Sequence, residues 1–179
     1  MIEPFIVIRN FISPDRAMSL GKEYMKYCSD VNEEGDEFVP LSHSTYGYIT
    51  FFELLFEKLP EVQELMGETL FPTYTYSRVY KKNAILEGHK DRPECEVSLT
   101  VHLSSDREWD IWIKDGDLKN NVNLQSGDAL LYYGVDYEHG RTTKYEGEYY
   151  TQLFLHYIKS RGRFSDPYNA YLEKYKQKT

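Results

Sequence analysis

Cysteine is scarce: Cys28 and Cys95 are the only two among 179 residues. Two thiols do not make a disulfide framework, so the expected setting is a reducing compartment. Basic residues are also in deficit, 21 Lys and Arg against 29 Asp and Glu, giving a formal net charge of −8. Phosphate binding needs a basic face, which argues against nucleic acid as the main partner. No apolar run reaches the ~20 residues of a transmembrane helix, which argues against a membrane partner. The opening Met1-Ile2-Glu3-Pro4-Phe5-Ile6-Val7-Ile8-Arg9 lacks the basic stretch and long apolar core of a secretory signal. The expectation is a soluble, cytoplasmic chain, with oligomeric state left open. Internal repeats and low-complexity linkers are missing too, so the chain reads as one domain, long enough to bury roughly 70% of its unfolded surface.

Aromatic residues, by contrast, are abundant. The chain holds 17 Tyr, 9 Phe and 2 Trp, a content incompatible with disorder over most of its length. Phe5-Ile6-Val7-Ile8 reads as a short strand. Ser13-Pro14-Asp15 then has a helix-starting pattern, Ser13 as cap and Pro14 at the first helical position. Met18, Leu20, Tyr24, Met25 and Cys28 give that helix an apolar face, and an acidic loop follows over residues 29–36. Thr50 and Glu53 have capping-box spacing for a helix through Leu59, with Pro60 predicted to stop it and open a second short helix through Met66.

After Pro72 the pattern becomes extended. Residues 73–80 alternate, with Tyr74, Tyr76, Arg78 and Tyr80 on one face. Residues 97–103 alternate Val97, Leu99, Val101 and Leu103 with Ser98, Thr100 and His102. Further strands are predicted over 109–113, 121–124, 129–133 and 149–158, parted by Gly/Asp turns, and a last helix over 166–176. Helices first, then short regularly spaced strands, indicate a mainly β domain built as an antiparallel sandwich or barrel.

The sharpest chemical signal is His89-Lys90-Asp91, with His139 following 50 residues after His89. In extended chain, positions two apart project to one side, so His89 and Asp91 can grip one ion together. A folded sandwich can bring His139 alongside. Two imidazoles and a carboxylate cover one face of an octahedral ion and leave three positions open, as in facial-triad Fe(II) sites. The segment Gly88-His89-Lys90-Asp91-Arg92-Pro93 equally fits an ordinary turn.

Taken with its surroundings, the chain resembles the Fe(II)/2-oxoglutarate-dependent dioxygenases, in particular their prolyl 4-hydroxylase-like branch. The likeness spans residues 5–159. It rests on Phe5-Ile6-Val7-Ile8-Arg9-Asn10-Phe11-Ile12-Ser13-Pro14, on Arg78-Val79-Tyr80 before His89, and on the His89/Asp91 pair. Ser126-Gly127-Asp128-Ala129-Leu130 and the distal His139 follow in order. The resemblance implies a double-stranded β-helix, the jelly-roll or cupin-like barrel, supported by N-terminal helices. One such domain would fill residues 1–179, with helical support over about 13–70, the jelly roll over about 73–159 and the C-terminal helix beyond. It implies Fe(II) held by His89, Asp91 and His139, with 2-oxoglutarate and O2 as cosubstrates and no catalytic residue beyond the metal ligands. Hydroxylation of a peptidyl proline or a small molecule would release succinate and CO2.

One departure is plain. In the family a basic residue nine to eleven positions after the distal His meets the far carboxylate of 2-oxoglutarate; here that stretch reads Glu148-Tyr149-Tyr150. Arg141, two residues past His139, is the nearest substitute, since its planar fork suits a carboxylate; it also fits a solvent-facing turn over 140–144. Arg78 is the reserve, and Tyr149 a neutral replacement. Tyr80 matches a family position whose phenol contacts the cosubstrate, and equally suits a core tyrosine. Thr100 and His102 share a polar strand face, and Gln152 with His156 alternates against Leu153 and Leu155; both faces are candidates to line the cavity. Read on alternate strand positions, Tyr74, Tyr76, Tyr80, Tyr133 and Tyr149 form a candidate phenol-lined cavity. Cys95 lies near the metal loop, but no Cys/His spacing around it marks a zinc site.

Two other readings stay open: a non-catalytic jelly-roll module that has lost normal 2-oxoglutarate binding, and a cupin-type metal enzyme drawing on His102 and His156. Residues 32–46 and 106–109 are the candidate substrate loops. The acidic run Glu33-Glu34-Gly35-Asp36-Glu37 either attracts a basic peptide or is simply a solvated loop.

Overall fold

Ser13 holds extended backbone while its hydroxyl accepts the Arg16 N–H at 3.3 Å, so α1 (Pro14–Val31) begins where the Ser-Pro pair predicts. These elements come from a computed structural model that describes residues 4–32 and 34–166. The buried stripe of α1 is Ala17, Leu20, Gly21, Tyr24 and Cys28, while Met18 faces outward. The helix ends on Asn32 in the left-handed region, so residues 29–31, expected in the loop, are helical.

The second helix corrects the sequence reading. α2 (Ile49–Met66) is continuous, with Pro60 inside it and Tyr48 at its cap. Pro60 lies on the exposed side of the helix, as does Phe56, whose carbonyl loses its partner there and can be solvated. Meanwhile Phe51, Leu54, Leu55 and Val62 bury the opposite face on both sides of the proline. Burial outweighs one missing hydrogen bond. Thr50 is no cap either, since its hydroxyl donates to Glu23 at 3.0 Å.

Among the described residues, ten strands form two antiparallel sheets. They are β1 (Phe5–Ile8), β2 (Ser42–Tyr46), β3 (Leu70–Lys81), β4 (Leu86–His89), β5 (Val97–Ser105), β6 (Ile111–Asp115), β7 (Leu118–Val122), β8 (Ala129–Tyr132), β9 (His139–Arg141) and β10 (Tyr149–Lys159). The larger sheet runs β1-β8-β5-β10-β3-β2 and the smaller β4-β9-β6-β7. This mainly β architecture with two flanking helices is the jelly roll implied by the resemblance. Strands β2, β4 and β9 were not expected, β3 begins at Leu70 rather than 73, and β7 starts earlier than predicted. The helix predicted over 166–176 lies, beyond Asp166, outside the described residues. Among the described residues, no helix is long and apolar enough to cross a membrane.

The period-2 pattern decides which face of the large sheet meets which environment. Val79, Val97, Leu99, Val101, Leu103, Leu131, Leu153 and Leu155 pack with the helices into the main core. The alternate positions, among them Arg78, Tyr80 and Thr100, turn inward toward the smaller sheet.

The turn over residues 126–128 ties this sheet to the start of the chain. Buried Asp128 accepts Arg9 Nη1 at 2.5 Å and the backbone N–H groups of Asn10 and Gln125 at 3.1 and 3.0 Å. Burial alone would raise its pKa, but these donors hold it below the usual carboxylate range. The carboxylate therefore stabilises the fold above that range, and its contribution disappears as pH falls through the lowered folded value. We expect urea-unfolding stability to drop on acidification below about pH 4, and Asp128→Asn to flatten that part of the profile. At neutral pH the same substitution should cost about 1–3 kcal/mol.

Candidate metal centre

β4 and β9 pair antiparallel with His89 directly opposite His139. The pairing sets the two rings 4.5 Å apart between centroids. Each imidazole is anchored through Nδ1 to a carbonyl two residues earlier, His89 to Glu87 at 2.9 Å and His139 to Tyr137 at 3.0 Å. Donation from Nδ1–H leaves each Nε2 lone pair unprotonated, the state a metal requires. Both Nε2 atoms lie 3.6 Å from Asp91 Oδ1. Burial lowers the pKa of His139, against the opposing pull of Asp91, and keeps its ring neutral.

Asp91 sits just past the end of β4, its N–H donating to the Gly134 carbonyl at 2.9 Å. Ser98 Oγ lies 3.2 Å from Asp91 Oδ2. The backbone of Gly134 closes on the carboxylate so tightly that a Cβ there would lie 2.1 Å from Oδ2 and 2.8 Å from Cγ.

The three groups open into a cavity of about 290 Å³ between the sheets, whose walls include Tyr80, Thr100, Tyr132 and Arg141. Arg141 follows His139 by two residues and shares its strand face. It is 2% exposed and has no carboxylate partner among the described residues. Neutral groups hold it: the Trp109 carbonyl, Gln152 Oε1 at 2.9 Å and the Tyr150 hydroxyl at 3.3 Å. The rings of Trp109 and Tyr150 flank the guanidinium at 4.9 and 4.6 Å. Arg78 reaches the same cavity but is neutralised, paired with Asp36 and donating to the Tyr76 hydroxyl at 2.5 Å. The buried Tyr80 hydroxyl has no hydrogen-bond partner among the described residues.

His89, Asp91, His139, Arg141, Arg78, Tyr80 and Thr100 thus share one cavity. Gln152 stands one layer back, donating Nε2 to Thr100 Oγ1 at 2.5 Å while it accepts from Arg141. His102 also stands behind the wall, stacked on Tyr150 at 4.3 Å with Nε2 beside Ser105 Oγ. Burial, with the nearby Arg141 charge, pushes its pKa down to about 4, so it is neutral. Tyr149 is not brought to the cavity; its ring packs on the helix-side core, as does that of Tyr133. Their neighbours take the inward positions: Tyr132 stands edge-on to His139 at 4.6 Å, and Tyr150 touches Arg141. Strand parity was the available signal, because Tyr149 and Gln152, three apart, fall on opposite faces of a regular strand whereas Tyr150 and Gln152 agree. Cys95 and His156 also line the cavity, within metal-ligand reach of Asp91.

The residues fit the group that the resemblance implies. Two neutral imidazoles and a carboxylate suit Fe(II). An uncompensated guanidinium in one cavity with a phenol O–H that has no partner among the described residues suits the far carboxylate of a 2-oxo dicarboxylic acid.

No model of a known protein family matches the sequence, and no curated protein matches it. Solved structures do. A prolyl-4-hydroxylase from Pseudomonas putida superposes with a TM-score of 0.69 at 12% identity, over 90% of this chain and 95% of that one. HygX from Streptomyces hygroscopicus, solved with nickel and 2-oxoglutarate, gives 0.64 at 15% identity over 86% and 82%. The collagen prolyl hydroxylase vCPH of Paramecium Bursaria Chlorella virus-1, solved as a 2-oxoglutarate complex, gives 0.65 at 13% identity over 87% and 96%. The chain has the fold of the 2-oxoglutarate/Fe(II) oxygenases.

Because the Gly134 backbone abuts the Asp91 carboxylate, Gly134→Ala should swing that carboxylate away from the histidines. We expect Mn(II) affinity to fall by about 10–100-fold with the melting temperature little changed, read by titration calorimetry. Unaltered affinity would show that Asp91 does not hold the ion.

Proposed function

We propose that this protein is a Fe(II)- and 2-oxoglutarate-dependent dioxygenase, a single-domain hydroxylase acting on a peptide or small-molecule substrate. One observation carries the reading: a His89/Asp91/His139 set opens into the same cavity as a buried arginine that lacks a counter-ion. 2-Oxoglutarate is a dianion whose two carboxylates are separated by a short carbon chain. It needs a chelating metal at one end and a cation at the other, and this cavity offers both.

His89, Asp91 and His139 would hold the metal by one face and leave the remaining positions to ligands. With Fe(II) bound, 2-oxoglutarate and O2 supply the chemistry, oxidative decarboxylation to succinate and CO2 coupled to substrate hydroxylation. Arg141 and the Tyr80 hydroxyl would take the far carboxylate, a charge-assisted contact made strong by burial. Gln152, braced by Thr100, and Tyr150, braced by the His102 stack, hold the guanidinium in place. Arg78 is committed to Asp36, which leaves Arg141 as the cation. Its position also answers the motive for a non-catalytic module: a base is absent at 148–150, yet one reaches the cavity from β9. Cys95 and His156 remain outside this scheme.

Toward the surface the cavity is walled by Tyr46, Tyr74, Tyr76 and Phe154, with Phe38 largely exposed beside His89. An apolar or aromatic-faced substrate suits these walls. A prolyl hydroxylase from Trichoplax adhaerens of the same fold was solved with a peptide fragment, and HygX with hygromycin B, so the architecture accommodates either class. Scarce cysteine fits a cytoplasmic setting.

Succinate formation from 2-oxoglutarate with Fe(II) should be measurable in wild type and absent in His139→Ala. A mass-spectrometric screen of peptides and amino acids for one added oxygen then identifies the substrate. Independently, 2-oxoglutarate titrated into Mn(II)-loaded protein should bind, and Arg141→Met should weaken that binding about 10–100-fold. Absence of binding in wild type would instead favour the module, and an unchanged affinity in Arg141→Met would remove Arg141 from the site.

A further inference from the structure

In the same cavity as the His89/His139 pair, Asp91 takes part in a second convergence of ligand-type side chains. One ligand atom each from Asp91, Cys95 and His156 falls within a 4.8 Å cluster. Cys95 is 2% and His156 5% exposed, so the cluster is shielded from bulk water. Cys95 comes from the short 3-10 turn Pro93–Cys95, and His156 from β10, whose antiparallel pairing places His156 opposite Ser98 of β5. The linear sequence shows no metal spacing here because the ligands come from separate elements.

We propose that Asp91, Cys95 and His156 form a second cation site, selective for a thiophilic divalent ion of the zinc class, which shares Asp91 with the first. Three features of the surroundings support it. The Tyr74 hydroxyl lies 2.9 Å from Cys95 Sγ, and Arg92 Nε–H donates to that hydroxyl oxygen at 3.1 Å. With its oxygen receiving the arginine N–H, the phenol turns its own proton onto the sulfur, a contact that opposes the burial and the Asp91 charge that push the Cys95 thiol up. The ring of His156 is fixed by a 2.9 Å contact between Nδ1 and Ser98 Oγ and by Tyr74, 4.6 Å away between centroids. Asp91, finally, has an oxygen for each side: Oδ1 faces the two histidines of the first site, and Oδ2 faces Ser98.

The donor set separates the two sites chemically. Sulfur, nitrogen and oxygen together favour zinc-class ions, whereas two imidazoles and a carboxylate with open positions suit Fe(II). On binding, the cysteine proton passes to solvent and the thiolate becomes a ligand. Because the carboxylate is common to both, an ion held by Cys95 and His156 shares the Asp91 charge that the first site also uses.

Titration of the metal-free protein with Co(II) tests this directly, since cobalt thiolates give an intense near-ultraviolet charge-transfer band. The band should rise and saturate in wild type, disappear in Cys95→Ser, and persist in Cys28→Ser. It should also persist in the His89→Ala/His139→Ala double variant, which removes the first site and keeps Asp91. Zinc bound to that double variant should show one sulfur at about 2.3 Å by X-ray absorption. Failure of the band to form in wild type, its survival in Cys95→Ser, or an all-nitrogen/oxygen zinc shell would overturn the proposal. Loss of 2-oxoglutarate binding with the band intact would count against the dioxygenase reading alone.

Discussion

A guanidinium buried without a carboxylate is costly, and much of the inner face of the large sheet is organised around that cost at Arg141. Its neighbours are all neutral: a carbonyl of Trp109, the amide of Gln152, the hydroxyl of Tyr150 and two aromatic faces. Each is itself supported, Gln152 by Thr100 and Tyr150 by the stacked ring of His102. Two arginines enter one cavity and are treated oppositely. Arg78 is quenched by Asp36, while Arg141 keeps its charge. In a chain of net charge −8 this unquenched cation, with a bound divalent ion, supplies the local positive focus an anionic ligand needs.

The placement of that cation relative to the metal ligands depends on one three-residue strand. His139 and Arg141 are the two ends of β9, so they share a face, and His139 stands opposite His89. Gly140 between them makes the close approach possible, since a Cβ there would lie 2.8 Å from the Leu86 carbonyl oxygen. A slip of one residue would turn both His139 and Arg141 away from the cavity. Register, more than any single contact, joins the chelating end of the site to its cationic end.

Sequence periodicity revealed long elements and concealed short ones. The Ser13-Pro14 cap and the alternation of β5 were legible because each repeats a physical constraint several times over. β4 and β9, four and three residues long, offer no period to read, and both reach the site. Pro60 misled because its local cost was weighed without the buried face that carries α2 through it. The metal ligands were legible as residue types at a spacing. The support of Arg141 is legible only in part: strand alternation points to Gln152 and Thr100, but the spacing after His139 points to Tyr149 where Tyr150 faces inward. Tyr133 and Tyr132 repeat the same one-residue displacement, the form of error that a two-residue period makes most consequential.

Asp91 is the point at which both ligand sets meet, so its orientation bears on both. Gly134 packs against Oδ2, leaving no room there for a Cβ. Ser98 Oγ lies within reach of Asp91 Oδ2, the Cys95 carbonyl and His156 Nδ1, at 3.2, 3.1 and 2.9 Å. Its single proton cannot serve all three. Given to Asp91, it pins Oδ2 and leaves Oδ1 directed at the two histidines. Where His156 Nδ1–H donates to Ser98 Oγ, as a ligating Nε2 requires, the hydroxyl proton is left for Asp91 Oδ2 or the Cys95 carbonyl. Ser98 on β5 therefore stands between the N2O set and the thiol-containing set, touching Asp91 of both and His156 of the second.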